Sequence, residues 1–462
     1  MWGEARSRLI PDSTASGAVV AAAAGTAALL GAVAVHSSKY AVLALLGAAF
    51  VALAISRLAL AVAAFIVLTF PEHLPGSFGA GATLAKPVGA LLVLGWGATV
   101  LTSRLKLPVL SKSRPLLFWL IVGLLLFGSV SMLWAADPSQ TRTGLERILL
   151  NAALLVVVFT AASTRSGFRT IVHGFLIGSV VTSLYSIAAG HSTRLIGVFD
   201  PNYFAAELIP AIILACFLFV TAGSRRARWL YAAVAGVDLF AFVLTQSRGG
   251  IIGLVCGLLA AVVLAGRARA RILVLVLAFV AGALGYYLGY KPAHVFQSGQ
   301  NGGLNGASSG RLDLWHVALL VFEGHPLGGV GLGNFPTVEP SYATHTVNLT
   351  MVRQIVREQL VAHNTYLQLA AELGLVGLGL FLAIIALPLR LAGRALRRLE
   401  LELPELEFHV RGLVAGTVGL LIAYVFLSAE FEKPLWLLLG LLASVPVLLR
   451  DGTTEKDSSR DD

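Results

Sequence analysis

Three arginines stand in short polar segments between long apolar runs, where their side chains could bind an anion. Arg194 lies in GHSTRLIGVFDPNYFA, Arg248 in TQSRGGIIG and Arg311 in SSGRLDLW. A guanidinium binds phosphate oxygens through two parallel hydrogen bonds. Gly249 and Gly250 follow Arg248, so backbone N–H groups at a helix start could approach the same anion. The alternative is that each arginine contacts a lipid headgroup or pairs with an acid.

A histidine opens the segment HNTYLQLAAELGLVG, which runs into an apolar stretch. The neutral imidazole of His363 can accept a proton from a hydroxyl near neutral pH. A single histidine at a membrane interface can equally be a polar cap without a chemical role. Tyr366 and Ala370 follow at helical spacing, which predicts that His363 stands on the same face of one helix.

The spacing of cysteine and histidine gives no sign of a metal site. Cys216 and Cys256 both fall inside apolar runs, which argues against a disulfide framework or a metal cluster. His316, His325 and His345 lie between the same two apolar runs, but their spacing matches no metal-binding pattern. We therefore expect neither a metal nor another cofactor.

Several acids lie inside or beside apolar runs, where a charge is costly and often functional. Asp238 is predicted within a span and Glu207 just inside another, and Glu430 and Glu432 stand near the end of a third. Asp238 has two equally weighted interpretations. It either pairs with a neighbouring helix for structural reasons or takes part in function.

The elements that must position these residues are membrane-spanning helices. Hydrophobic residues make up 57% of the 462 residues and charged residues only 13%, against about 25% charged in soluble domains. The apolar runs are continuous rather than alternating, which favours helices over barrel strands. A soluble globular enzyme is thereby excluded. Fourteen spans are predicted, at 17–35, 40–55, 58–70, 83–101, 115–134, 145–163, 170–189, 203–222, 229–246, 249–266, 272–290, 366–388, 412–429 and 434–449.

The distribution of basic residues predicts the orientation. Alternating the spans from a cytoplasmic N-terminus places 23 of the 34 basic residues on the cytoplasmic side, as expected for the short loops of membrane proteins. Both termini are then cytoplasmic and the protein crosses the membrane several times. The same rule accounts for the net charge of +10 without nucleic acid. The first span resembles a signal peptide, but its length favours an anchor.

The predicted organisation has one exceptional loop. Residues 291–365 form a long extracytoplasmic segment that contains an amphipathic helix, RLDLWHVALLVFEG, and a glycine-rich turn region, HPLGGVGLGNFP. A loop of this length is usually functional. The glycine-rich region follows no strand, so a dinucleotide site is not expected there. The predicted regions are N-terminal helices 1–140, central helices 141–290, the loop 291–365, C-terminal helices 366–449 and a cytoplasmic tail 450–462.

Four motifs together resemble one family. TQSRGG, GRLDLW, GVGLGNF and HNTYLQLAAELGLVGLGLFL are similar to segments of the O-antigen ligase and polymerase family of bacterial polysaccharide assembly, mainly over residues 190–390. The resemblance implies an all-α polytopic bundle with an outer loop containing short helices. That family usually has about twelve spans, so the chain either has an additional N-terminal pair or residues 17–70 are divided too finely, which leaves 12–14.

The resemblance also implies an activity. Such proteins are lipid-linked glycosyltransferases of the GT-C type, which move a glycan from undecaprenyl diphosphate to an acceptor hydroxyl without ATP or metal. The resemblance implies that this transfer occurs at the outer face of the bacterial cytoplasmic (inner) membrane. By this analogy Arg248 and Arg311 bind the diphosphate and His363 lies at the reacting centre, as catalytic residues. The expected substrate-binding residues are Arg194, as a weaker transfer, with Asp200, Asn202, Asn364 and Tyr366. Asp200 and Asn202 have the alternative of capping a helix.

Two alternatives to a ligase stay open at this point. A polysaccharide polymerase of the same family would extend the chain instead of transferring it to a terminal acceptor, and the shared motifs do not separate the two. A secondary transporter would account for the span count and Asp238, but the sequence shows no repeated half with paired broken helices. The expected partners are the lipid-linked donor, a lipid or glycan acceptor and membrane lipids, with no nucleic acid.

Overall fold

The structure is a computed structural model, and it describes residues 38–70, 85–102, 107–189, 200–290, 310–344, 349, 355 and 357–458. The first predicted span, 17–35, lies outside the described residues, as do Arg194 and most of the first part of the long loop.

The described residues form helices and contain no β-strand, which confirms the all-α membrane fold. Short 3-10 turns at Ser131–Leu133, Gly266–Ala268 and Tyr424–Phe426 extend or join some of them. A helix lies at every predicted span within the described residues. In chain order the helices are α1 (Ser38–Ser56), α2 (Leu58–Thr69), α3 (Ala85–Thr102), α4 (Leu110–Ser113), α5 (Pro115–Val130), α6 (Pro138–Ala161), α7 (Arg165–Ala189), α8 (Pro201–Thr221), α9 (Arg225–Thr245), α10 (Arg248–Leu264), α11 (Arg269–Tyr290), α12 (Arg311–Gly324), α13 (Phe335–Thr344), α14 (Thr365–Glu402), α15 (Pro404–Ala423) and α16 (Lys433–Ser458).

The lengths of these helices separate full spans from shorter apolar helices. Within the described part of the chain, 7 helices are long and apolar enough to cross a membrane, or up to 8 if the bent pair α10 and α11 counts as one span. That pair is bent by 110° at its break. The shorter apolar helices are Val42–Ser56, Leu58–Thr69, Ala85–Leu101 and Lys433–Leu449.

Capping side chains account for where several helices begin. Asp137 accepts a hydrogen bond from the Ser139 backbone N–H at 2.8 Å, and Pro138 takes the first helical position of α6. Ser224 accepts from the Ala227 N–H at 3.1 Å at the start of α9. These side chains satisfy backbone donors that have no partner inside the helix.

Helix α8 lies at the centre of the bundle, with most of its side chains buried. It packs closely on α10 and α15 because glycines line the contact. A Cβ on Gly416 of α15 would lie 2.6 Å from the Cα of Pro210, and one on Gly250 of α10 would lie 2.8 Å from the Cβ of Ala205. Small residues at such contacts let helix backbones approach in the membrane. The start of α10, where Arg248 lies, is therefore positioned by a tightly packed helix.

The other end of α10 is held by a buried ion cluster. Arg411 donates to Glu407 at 2.7 Å, and Arg267 lies 2.8 Å from the second oxygen of the same carboxylate. Glu407 is fully buried, so it needs these charges around it. Arg411 also donates to the carbonyl of Leu264, the last residue of α10. The cluster thus fixes the break between α10 and α11.

The buried acid of α9 has structural partners. Asp238 accepts hydrogen bonds from Ser179 at 2.7 Å and Ser183 at 2.8 Å, both on α7. Polar side chains commonly join helices in this way inside a membrane. The geometry favours the structural interpretation of Asp238. Asp238 therefore no longer supports the alternative of a secondary transporter.

Candidate functional site

The turn before α10 fixes the backbone at Arg248. Gln246 takes a left-handed conformation with φ of 52°, which few residues other than glycine adopt. Ser247 then caps α10 by accepting from the Gly250 N–H at 3.2 Å. A Cβ on Gly249 would lie 2.7 Å from the Cβ of Phe426. The arginine is therefore the half-buried first residue of a helix whose start is packed against the Tyr424–Phe426 turn.

The segment FDPNYFA is joined to this turn by a hydrogen bond. Asp200 caps α8 by accepting from the Asn202 N–H at 2.8 Å, as one of the two interpretations expected. The side-chain oxygen of Asn202 accepts from the Ser247 hydroxyl, also at 2.8 Å. The bond links the start of α8 to the start of α10. Asp200 itself is exposed, so its carboxylate stands at the surface of the site.

Arg311 is the first residue of α12, the amphipathic helix predicted in the long loop. Gly310 precedes it with φ of 74°, in the left-handed region where glycine is favoured. One turn later the Trp315 ring lies 6.2 Å from the Phe426 ring, centroid to centroid. Phe426 thus contacts the segments that carry both Arg248 and Arg311, which brings two arginines distant in sequence to one place.

His363 lies before helix α14 rather than on it. The helix begins at Thr365, and His363 has φ of 48° in the left-handed region. The prediction that helical spacing places His363 on a face with Tyr366 and Ala370 was therefore wrong, because the chain turns at Asn364. Thr365 fixes this junction, since its hydroxyl donates to the Leu427 carbonyl at 2.7 Å and accepts from the Ala429 N–H at 2.9 Å.

Electrostatic interactions connect Arg311 with Arg248, Asp200 and His363. Burial lowers the pKa of Arg311; the Asp200 carboxylate opposes that change and the Arg248 charge adds to it. Burial also lowers the pKa of His363, the Arg311 charge lowers it further, and Asp200 partly offsets both. The imidazole is consequently neutral at neutral pH, the form that can accept a proton. Two cations, one carboxylate and one base converge from four separate segments.

The remaining predicted binding residues have structural contacts. The Asn364 side-chain oxygen caps α14, accepting from the N–H groups of Tyr366 at 3.0 Å and Leu367 at 3.1 Å. The Tyr366 hydroxyl donates to the Leu421 carbonyl at 2.7 Å. Both side chains hold the junction that presents His363. No group of three or more potential metal ligands occurs among the described residues.

The glycine-rich segment of the loop braces α14, a function that sequence reasoning missed. The N–H groups of Val330 and Gly331 donate to the carbonyls of Ala371 and Glu372 at 3.0 and 2.9 Å. Gly374 has φ of 61° and ψ of −163°, which breaks the helix there. The Leu375 N–H, which the break exposes, donates to the Pro326 carbonyl at 2.8 Å. Two of the four motifs are therefore one folded unit.

Glu372 and Asn334 complete this unit. The Glu372 carboxylate accepts from the Gly333 N–H at 2.7 Å and from the Gln368 amide at 3.1 Å, and it is fully buried. Asn334 accepts from the Asp137 N–H at 2.6 Å and donates to the Thr141 hydroxyl at 2.9 Å. The loop is thereby attached to α6. Spacing within GVGLGN or AELG gave a family signature but no indication that one motif binds the other.

The arrangement agrees with a match to a known family. Residues 232–382 match the family model described as O-antigen ligase. The chain contains an O-antigen ligase domain. The match includes Arg248, Arg311 and His363, whereas Arg194, Asp200 and Asn202 precede it. The match confirms the predicted resemblance to the O-antigen ligase and polymerase family, and it supports a ligase-like or polymerase-like function in general. The substrates of that family are lipid-linked glycans. No curated protein matches the chain.

Proposed function

We propose that the O-antigen ligase domain transfers a glycan from undecaprenyl diphosphate to an acceptor hydroxyl at the outer face of the bacterial cytoplasmic membrane. The observation that carries the proposal is that Arg311 interacts electrostatically with Arg248, with His363 and with Asp200. Arg248, Arg311 and His363 come from three segments of the matched region. The orientation follows from the predicted distribution of basic residues, with both termini cytoplasmic.

The arginines act on the leaving group in this proposal. The bond between the sugar anomeric carbon and the diphosphate oxygen breaks, and undecaprenyl diphosphate leaves with the electron pair. Arg248 and Arg311 stabilise the charge that develops on its oxygens, each through the planar fork of a guanidinium. Two positioned cations supply the charge stabilisation that many transferases obtain from a metal ion, so the reaction as proposed is metal-independent.

His363 acts on the attacking group. The acceptor hydroxyl oxygen forms the new bond to the anomeric carbon from the face opposite the diphosphate, which inverts the configuration of that carbon. Its proton passes to the neutral imidazole of His363, which its surroundings keep in the base form. Asp200 stabilises the imidazolium that results, because its charge favours the protonated ring.

The other predicted residues have supporting positions in this mechanism. Asn202 orients the Arg248 turn through Ser247, and Asn364 and Tyr366 hold the His363 junction. We assign these three to positioning rather than to direct substrate contact. Arg194 stays a predicted contact to the diphosphate from the segment before Asp200.

Transfer by purified protein tests the proposal. The protein in detergent is mixed with a defined undecaprenyl-diphosphate glycan and with one of two acceptors, a core glycolipid or the growing glycan itself. Product on the glycolipid with release of undecaprenyl diphosphate is the expected result. Product only on the growing glycan would assign the protein as a polymerase, and no consumption of donor with either acceptor would contradict glycan transfer.

A further inference from the structure

A cavity opens between α3, α6 and the start of α16, in a different part of the bundle from Arg248, Arg311 and His363. Its volume is about 350 Å³, within the range of small-molecule sites. The segment 427–432 connects the two places. The Asn151 amide, which lines the cavity, donates to the Phe431 carbonyl at 2.7 Å, and the Leu427 carbonyl accepts from Thr365, two residues after His363.

Three cations line this cavity, and sequence reasoning found no function for them. Lys86 and Arg147 are exposed and Lys433 is half-buried. The Arg147 guanidinium lies 5.6 Å from the centroid of the Phe431 ring, over its face. Glu432 is the one carboxylate in the lining, so cations outnumber acids three to one. All three fall on the predicted outer side, where the charge rule for cytoplasmic loops does not place them.

The rest of the lining is apolar. Phe65, Leu92, Leu154 and Val157 belong to it and are buried in the helix bundle. A small hydrophilic anion would contact the cations but gain nothing from this wall. An uncharged lipid chain would gain from the wall but not from the cations. The combination fits an amphiphile with an anionic head and an apolar chain.

We propose that this cavity binds an anionic phospholipid, with its phosphate at Lys86, Arg147 and Lys433 and its chain along the apolar wall. The site is separate from the Arg248, Arg311 and His363 cluster. Binding there does not require glycan transfer, so the two proposals can fail independently.

Native mass spectrometry of the detergent-purified protein tests the proposal. The probes are phosphatidylglycerol and phosphatidylcholine with the same acyl chains, which differ in net charge. The wild-type protein should retain more phosphatidylglycerol. Arg147→Gln and Lys433→Gln should each weaken that retention roughly fivefold, as expected for one basic residue near an anionic headgroup. Equal retention of the two lipids by the wild-type protein would overturn the proposal.

Two further variants separate this site from general charge and from misfolding. Arg142→Gln is the matched control, because Arg142 is on the same helix but exposed and paired with Glu146 at 3.2 Å; it should retain lipid as the wild type does. Leu150→Trp keeps every cation but fills part of the wall, and it should also lose phosphatidylglycerol. Retention in Arg147→Gln and Lys433→Gln equal to that in Arg142→Gln, or undiminished retention in Leu150→Trp, would contradict the assigned site.

Discussion

The backbone N–H of Gly333 donates to the buried carboxylate of Glu372 at 2.7 Å, which joins the glycine-rich loop to the helix that follows His363. A Cβ on Gly329 would lie 2.2 Å from the backbone of Glu372, so the glycine-rich loop and α14 are in direct backbone contact there. The acid of the AELG motif therefore holds the loop in place. Its position, about two helical turns beyond Thr365, makes it a structural support of the site.

Replacing Glu372 should lower the stability of the protein, because its carboxylate supports the structure and is not proposed to take part in glycan transfer. Glu372→Ala leaves the Gly333 N–H and the Gln368 amide without their shared acceptor, and an unsatisfied buried donor costs about 1–3 kcal/mol. We expect a lower thermal unfolding midpoint in detergent and a smaller monodisperse fraction on size exclusion. Glu372→Gln keeps an acceptor oxygen and should be milder. Glu323→Gln, an exposed glutamate of α12, should leave both measurements unchanged; an equally stable Glu372→Ala would remove the bracing role.

The rate of transfer should depend on the planar shape of the Arg248 and Arg311 guanidinium groups as well as on their charge. Arg248→Lys and Arg311→Lys keep the positive charge but lose the bidentate fork. Loss of a charged hydrogen bond at a desolvated contact costs about 2–5 kcal/mol, so transfer should fall roughly 30-fold or more while protein abundance is maintained. Arg142→Lys, an exposed pair member on α6, is the control. Full activity in Arg248→Lys would indicate a general requirement for charge rather than a fork.

Helix positions were predictable because apolar runs and capping residues are local signals. Arg248 and Arg311 could be singled out because cations outside the predicted cytoplasmic loops need another explanation. The contact between Gly333 and Glu372 spans 39 positions, and neither motif carries a local sign of the other. The left-handed backbone of His363 could not be predicted from the sequence either, because few histidines adopt that conformation and the surrounding fold imposes it here.

The orientation of the bundle can be measured with cysteine labelling. Glu323 on α12 and Arg226 at the start of α9 are both exposed and lie on opposite sides in the predicted topology. A cysteine at Glu323 should react with a membrane-impermeant thiol reagent in intact spheroplasts, whereas one at Arg226 should react only after lysis. The native Cys216 and Cys256 lie within helices and are tested alone as background. The reverse pattern would place the loop in the cytoplasm and exclude transfer at the outer face.

The pH dependence of transfer should report on Asp200. The base form of His363 is lost as pH falls through a pKa that burial and Arg311 hold below the ordinary value of about 6.5. Asp200 favours the protonated ring, so removing its charge lowers that pKa further. Asp200→Asn should therefore shift the acid limb of kcat/KM to lower pH while it preserves the cap of α8, because asparagine caps as well as aspartate.

A matched cap elsewhere provides the control for that measurement. Asp137 caps α6 in the same way, accepting from the Ser139 N–H at 2.8 Å, but it is not among the charges that act on His363. Asp137→Asn should leave the acid limb in place. A shift to higher pH in Asp200→Asn, or equal shifts in the two variants, would contradict an interaction between Asp200 and the base.

Substitution of His363 should separate proton transfer from backbone geometry. The residue has φ of 48°, a conformation that asparagine adopts more readily than alanine. His363→Asn therefore keeps the turn and a hydrogen-bonding side chain but has no base at neutral pH. A general base contributes about 10²–10⁴-fold, and we expect a loss of that size in kcat with donor binding retained. His363→Ala should lose as much activity and some stability as well.

Gln359, which has the same φ of 48°, supplies the control for this prediction. Gln359→Ala introduces comparable backbone strain and should preserve transfer. Near-normal rates in His363→Asn would reduce the imidazole to orienting the acceptor. Near-normal rates in His363→Ala would remove it from the mechanism and leave arginine-assisted departure of the diphosphate as the main source of catalysis.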